Sequence, residues 1–285
     1  MKPKFTVIGC GRLGKTLAFL WKMADLISVQ NIYNTSVESA KSAVAFIGEG
    51  EVCQTIAELQ PSNIYLIAAP DDKIEALCQQ LAKQAKFNAG NLVFHCSGLH
   101  TSDCLDAAKS LGCYTASLHP IFSFSDPIND VHHFAGTYCS FEGSLQAFDQ
   151  ISTLVQGIGG QLFQIAKAQK GLYHVASVFA STYLVTLSII AEACYRKAGL
   201  SDELSKPLTH RLMQQSLHSI KRSPSMKDAL TGPIQRGDSN AIQQHINTLQ
   251  PFTDLQGIYK SLGKVALETV DHTSEMQELL KTLFS

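Results

Sequence analysis

The sequence predicts an α/β protein, a mainly parallel doubly wound sheet followed by an all-helical C-terminal domain. Three observations predict it. Short apolar runs alternate with helical segments from Phe5 to about Ile165. Gly, Pro, Asn and Asp punctuate the junctions between them. Beyond Lys167 the alternation stops and helical spacing takes over, interrupted near Gly199, Pro207, Pro224, Gly232–Pro233 and Pro251.

Seven strands are expected: Phe5–Ile8, Val29–Tyr33, Asn63–Ala68, Leu92–Cys96, Tyr114–Leu118, Gly136–Phe141 and Gln161–Ile165. Intervening segments carry helical spacing, as at Ile74, Leu77, Leu81 and Ala85. Strand–helix alternation implies parallel strands covered on both faces by the crossover helices. The change of pattern places a domain boundary near residue 166, giving 1–166 and 167–285, and the 285 residues are enough for two domains.

Charged residues make up 16% of the chain and the formal net charge is -1, so no basic excess marks a nucleic-acid surface. A small-molecule partner fits this balance. The eight cysteines form neither a CxxC pair nor a zinc-ligand spacing, and no metal is expected. The polar stretch Met1–Lys4 runs straight into a strand pattern, which predicts a cytoplasmic protein with reduced thiols. Val175–Ala191 is uncharged but contains Ser177, Ser181, Thr182, Thr186 and Ser188, and is expected as a helix buried in a domain or dimer rather than a membrane span.

The first expected strand runs into Gly9-Cys10-Gly11-Arg12-Leu13-Gly14 and then a helical segment. A lone GxGxxG is a weak signal, but after a strand and at a helix start the glycines acquire functions. Gly9 permits the turn, Gly11 lets the backbone approach a pyrophosphate, and Gly14 lets helix and strand pack closely. The helix start then offers free N–H groups and positive potential to phosphates. This is a Rossmann-type dinucleotide site. The end of the second strand reads Tyr33-Asn34-Thr35-Ser36, with no carboxylate where NAD-preferring sites usually hold the ribose hydroxyl. Asn34, Thr35 and Ser36 supply donors, and Arg12 could approach from the glycine loop, so NADPH is expected over NADH. Thr35 and Ser36 would equally serve as helix caps.

Further segments lie at the carboxyl ends of strands, where open α/β sheets bind ligands. Ala69 and Pro70 would let the cofactor lie against backbone. Ser97, in His95-Cys96-Ser97-Gly98, and His119, in Leu118-His119-Pro120, converge on the same sheet edge. In the first C-terminal helix Lys170, His174, Ser177 and Ser181 share one stripe. An ammonium or imidazole suits carbonyl reduction, which creates an oxyanion needing a proton. The alternative is that Lys170 caps a solvent-facing helix start. Arg236, in a glycine-flanked loop, could hold a substrate carboxylate by a bidentate fork, or pair with Asp238. His132 and His133 look like surface loop residues.

The set GCGRLG, HCSG, LHPIFSF, KGLYHVASVFAS and LTGPIQRGD resembles a bacterial family with a Rossmann-like domain and a helical C-terminal domain of long-unassigned function, and covers nearly the whole chain. That family is similar to pyrroline-5-carboxylate reductase, ketopantoate reductase and the β-hydroxyacid dehydrogenases. By the resemblance Lys170 falls at the catalytic lysine of ketopantoate reductase and His174 at an asparagine one turn on. It further implies a homodimer packed through the helical domains, and a reductase of a small 2-oxo acid with ketopantoate foremost. In that reading Lys170 is the acid, His174 and Ser97 orient the carbonyl, and Arg236 or His119 holds the carboxylate. An imine reductase and a non-catalytic NADP(H)-binding regulator are the alternatives.

Overall fold

The computed structural model describes residues 2–285. It divides into two compact units, one running to Ser181 and the other spanning Thr182–Ser285.

The first unit is built on one eight-stranded sheet. Its strands are β1 (Lys4–Ile8), β2 (Ser28–Tyr33), β3 (Glu51–Cys53), β4 (Ile64–Ile67), β5 (Leu92–His95), β6 (Tyr114–Pro120), β7 (Tyr138–Gly143) and β8 (Gln161–Gln164). They lie in the order β3-β2-β1-β4-β5-β6-β7-β8, and only the β6/β7 pair is antiparallel. Strand order therefore reverses between β1 and β4, which opens a crevice at their carboxyl ends. β3 was not expected from sequence: it is three residues long at the sheet's edge, too short to show a period. The sixth expected strand also shifts, from Gly136–Phe141 to the residues of β7, because Gly136 takes φ +84 in the preceding turn.

Alternate residues of each strand feed opposite faces. Phe5, Val7 and Leu66 join one core with Leu17 and Trp21 of α1 (Arg12–Met23) and Ile151 and Leu154 of α6 (Leu145–Gln156). Ile8, Tyr65 and Ile67 join the other with Ile74, Cys78 and Leu81 of α3 (Asp71–Lys83) and Ala108 of α4 (Asp106–Lys109). The Trp21 indole N–H donates to the Leu154 carbonyl at 2.9 Å, so the largest buried side chain is also satisfied. The remaining helices of this unit are α2 (Val37–Ile47), α5 (Pro127–His133) and α7 (Lys170–Ala180). His132 and His133 thus end a helix rather than occupying a loop.

The expected boundary at 166 moves to Ser181 because α7 is anchored on the sheet unit. Lys170, 1% exposed, donates to the carbonyls of Ser97 and Gly98 after β5. The uncharged Val175–Ala191 stretch is not one buried helix. It breaks at Ser181 (φ -121, ψ -72), whose hydroxyl turns back onto the Ser177 carbonyl, and Val175, Val185 and Ile189 are exposed.

The second unit is all helical: α8 (Thr182–Lys197), α9 (Asp202–Arg222), α10 (Pro233–Arg236), α11 (Ser239–Thr248), α12 (Thr253–Glu268) and α13 (Ser274–Phe284). Its apolar centre is small, formed by Ile242, Ile246, Leu267, Leu280 and Phe284. Phe284 packs onto Gly263, where a methyl group would stand 2.3 Å from the ring.

Candidate active site

The crevice between β1 and β4 opens into a cavity of about 690 Å³, walled by Gly9 and Gly11, by Tyr33, Asn34 and Thr35, and by Ala68, Ala69 and Pro70. Gly9 has φ +83, and a Cβ there would lie 2.8 Å from the Ala69 nitrogen. Only glycine lets the turn pass so close to the β4 end. At Gly11 a Cβ would meet nothing within 4 Å. That open volume lies directly over the start of α1, whose first N–H groups lack intrahelical acceptors. Gly14 is buried, with Val7 and the Cys10 sulfur each 3.4 Å from a built Cβ. The cleft therefore offers amide donors, a helix N-terminus and no carboxylate wall, an arrangement able to hold a pyrophosphate.

Several expected cofactor residues act through backbone or packing. The Cys10 side chain is fully buried and burial pushes its thiol up to about 12, leaving only its peptide group for a ligand. Leu13 packs against the core. Arg12 is exposed at the first position of α1 and is not in the cleft wall. Asn34 clamps the glycine loop: its Oδ1 accepts from Cys10 N–H at 2.6 Å, and its amide donates to Ser39 Oγ at 2.8 Å. Its donors are thus directed at the protein. Ser36 caps α2, accepting from Ser39 N–H at 3.1 Å. Thr35 and, unanticipated, Lys73 remain in the wall. Lys73 lies one turn into the helix that follows Pro70, and that spacing was the readable signal.

A second constellation begins where the first ends. Asp71 follows Pro70 as the first residue of α3, and Ser97 Oγ donates to its carboxylate at 2.6 Å. The same Ser97 oxygen accepts from the N–H groups of Leu99 and His100 at 3.1 and 2.9 Å. Ser97's hydroxyl is therefore committed to shaping its loop. Below it, His95 Nδ1 accepts from Ser97 N–H at 3.1 Å while Nε2 lies 3.1 Å from the Thr101 carbonyl, which assigns the neutral Nε2–H tautomer. Burial holds that imidazole down at about 4.

Gly98 is the centre of the corner. A Cβ on it would stand 2.3 Å from His174 Nδ1 and 3.0 Å from His119 Nε2. The two imidazoles meet edge to face at 5.8 Å, and His119 Nδ1 shares a hydrogen bond of 2.9 Å with the Tyr173 hydroxyl. Burial, then the nearby Lys170 charge, pushes His119 down to about 4, so it is neutral at physiological pH. His174 Nδ1 is buried without a hydrogen-bond partner.

Lys170 is not a solvent-facing helix cap. Its Nζ lies 2.6 Å from the Ser97 carbonyl and 3.2 Å from that of Gly98. Burial lowers it to about 8, against the pull of the Glu142 carboxylate. Glu142 is itself held by Ser102 N–H and Oγ at 2.6 and 2.8 Å.

The structure thus brings together Ser97, His119, Lys170 and His174, and adds Asp71, Gly98 and Tyr173. Ser181 is exposed at the end of α7 with its hydroxyl on Ser177. Arg236 is exposed at the end of α10 in the C-terminal unit, and among the described residues it forms no ion pair with Asp238, which caps α11 through Ala241 N–H at 3.0 Å.

The sheet order and glycine-lined crevice define the class: a Rossmann-like protein, and a Rossmann-like domain model matches residues 2–120. A second model, a domain of unknown function (DUF2520), matches residues 137–266. The two matches lie on separate segments, the first over the parallel part of the sheet and the second from β7 into the helical unit. No match was found among curated proteins. Among solved structures, a candidate NADP oxidoreductase of Bacteroides fragilis is similar over 94% of this chain and 98% of its own, with 19% identity and a TM-score of 0.75. A Thermotoga maritima protein is similar over 93% and 97%, with 22% identity and a TM-score of 0.71. The Plasmodium falciparum pyrroline carboxylate reductase with NADP bound is similar over 99% and 98%, with 16% identity and a TM-score of 0.58. At these identities the likeness establishes the fold.

Proposed function

We propose that the chain is an NADP(H)-dependent oxidoreductase that reduces a small 2-oxo acid, with ketopantoate the first substrate to test. One observation carries the reading. The wall of the dinucleotide cleft ends at Pro70, and the next residue, Asp71, accepts from Ser97 at 2.6 Å, beside the corner where Gly98 makes room for two imidazoles and the buried Lys170 donates to the loop.

The open space over Gly11 and the free amides at the start of α1 fit a dinucleotide pyrophosphate. The absence of a carboxylate at Asn34, with Lys73 in the wall, favours the phosphorylated form. The Plasmodium reductase, similar in fold, has NADP bound. When bound, the dinucleotide supplies a hydride to the substrate carbon.

The chain's own residues then have to stabilise an oxyanion and deliver a proton. The His174 ring presents a buried Nδ1 without a partner, and an imidazole N–H is a donor suited to an oxyanion. His174 is the proposed donor to the substrate oxygen. Lys170, brought to about 8 by burial, is the proposed acid. His119, neutral and braced by Tyr173, orients the substrate. Ser97 acts by shaping the loop.

One observation favours a second reading, an imine reductase. The Lys170 ammonium is committed to two backbone carbonyls, and an imine that arrives already protonated needs little acid assistance. The exposed apolar side chains Leu172, Val175, Val185 and Ile189 support the homodimer that the family resemblance implies. Lys167–Lys197 is long and apolar enough to cross a membrane by length and composition, but Lys170 within it is tied to the sheet unit.

The test is NADPH consumption by the purified protein with ketopantoate, pyrroline-5-carboxylate and other small 2-oxo acids. Ketopantoate turnover that collapses in Lys170→Ala supports the main reading. Turnover of the cyclic imine alone, surviving Lys170→Ala, supports the second. NADPH binding without turnover of any of them moves the protein to a dinucleotide-sensing role.

A further inference from the structure

The Ser97–Gly98 segment is held from two sides. From below, Lys170 and the Ser117 hydroxyl, at 2.6 and 3.2 Å, both donate to the Ser97 carbonyl. From the cleft side, its only side-chain anchor among the described hydrogen bonds is the Asp71 carboxylate, 2.6 Å from Ser97 Oγ. Asp71 is adjacent in sequence to Pro70, part of the dinucleotide cleft wall. Gly98 is adjacent to Ser97, and its Cα is the surface against which both His119 and His174 rest. One hydrogen bond therefore connects the cleft wall to the loop that sets the two imidazoles.

We propose that Asp71 is a positioning residue: by holding Ser97 it fixes Gly98, and through it His119 and His174, relative to the bound dinucleotide. The inference rests on the reductase reading for its kinetic part only. Asp71 need not touch substrate. A hydroxyl that spends its proton on a carboxylate makes a short, charge-assisted bond, stronger than a neutral one. It also leaves both lone pairs of Ser97 free for Leu99 and His100 N–H, so removing Asp71 releases the donor that orients the whole turn. Small displacements of catalytic groups are costly, with a misplacement of about 1 Å able to reduce rate on the order of 100-fold.

Asp71 is also an acidic residue in the first turn of α3, and a purely structural role there would be to complement the helix dipole. The two roles respond differently to substitution. Asp71→Asn removes the charge but keeps an oxygen able to accept from Ser97 Oγ, whereas Asp71→Ala removes both.

The experiment measures NADPH binding, turnover and the ring C–H resonances of His119 and His174 in wild type, Asp71→Ala and Asp71→Asn. The expected result is that Asp71→Ala lowers kcat by about 10-fold or more, changes the NADPH dissociation constant by less than about 3-fold, and shifts both histidine resonances. Asp71→Asn should restore kcat and the resonances most of the way. Loss of NADPH affinity with unchanged kcat would make Asp71 a cofactor ligand and overturn the proposal. So would wild-type resonances in Asp71→Ala, or an Asn variant as impaired as the Ala variant. If the wild type binds NADPH but turns over no substrate, the reductase reading fails while the histidine resonances still decide the role of Asp71.

Discussion

The Lys170 ammonium donates to the Ser97 carbonyl at 2.6 Å across 73 positions of sequence, pinning the first helix after the sheet to the loop that follows β5. This contact explains why the helix belongs to the sheet unit and why the turn at Gly98 is fixed. Four predictions follow from it and from the neighbouring geometry.

Lys170 should leave a signature in stability against pH. Its folded-state value, about 8, lies below the usual lysine value of 10.5, so between these the unfolded chain binds more protons. The lysine's contribution therefore improves as pH rises through that window and is lost as pH falls through about 8. Relative to Lys170→Met, wild-type stability should rise between those two pH values by an amount on the order of 1–3 kcal/mol. Thermal melts of both proteins across the window would show it, and a constant difference would contradict the burial argument.

Gly98→Ala should separate binding from chemistry. The new methyl would occupy the space of His174 Nδ1 and crowd His119 Nε2, side-chain ends that can move aside. The variant should fold, bind NADPH within a few-fold of wild type, and lose on the order of 100-fold in turnover. Steady-state kinetics beside a binding titration checks this.

Gly9→Ala and Gly11→Ala should fail in different ways. At Gly9 the positive φ and the nearby Ala69 backbone make a side chain strained and crowded, so stability should drop by roughly 1–3 kcal/mol. At Gly11 the space is open, so the melting temperature should stay close to wild type while NADPH affinity falls. Calorimetric melts and NADPH titrations of the two variants, side by side, distinguish fold from ligand.

The apolar faces of α7 and α8 should be covered in solution. Leu172 is 71% exposed and Val185 and Ile189 are each 59% exposed, large apolar side chains that a second copy of the chain would cover. Light scattering should report a dimer, and Val185→Glu with Ile189→Glu should shift it to monomer. A wild-type monomer would leave that surface for another partner.

Much of this was readable in the sequence. The strand–helix alternation and the glycine loop were local patterns, and period and punctuation are what a sequence shows directly. That Lys170, Ser97 and His119 come together was also legible, since strand ends and helix stripes mark where side chains converge. Asp71 was passed over because its importance lies in a partner 26 positions away, and Tyr173 because its partner is 54 positions away. The reading of Asn34 as a ligand donor missed a competition: the same amide is more useful holding the Cys10 peptide. The local pattern changes near residue 166 but the packing changes at Ser181, because one buried lysine ties α7 to the sheet unit.

The most direct test is an equilibrium titration of the purified protein with NADPH and with NADH. The cleft described here predicts saturable binding of both, with NADPH tighter by about 10-fold or more, equivalent to about 1.4 kcal/mol. Failure to bind either, or tighter binding of NADH, would contradict it.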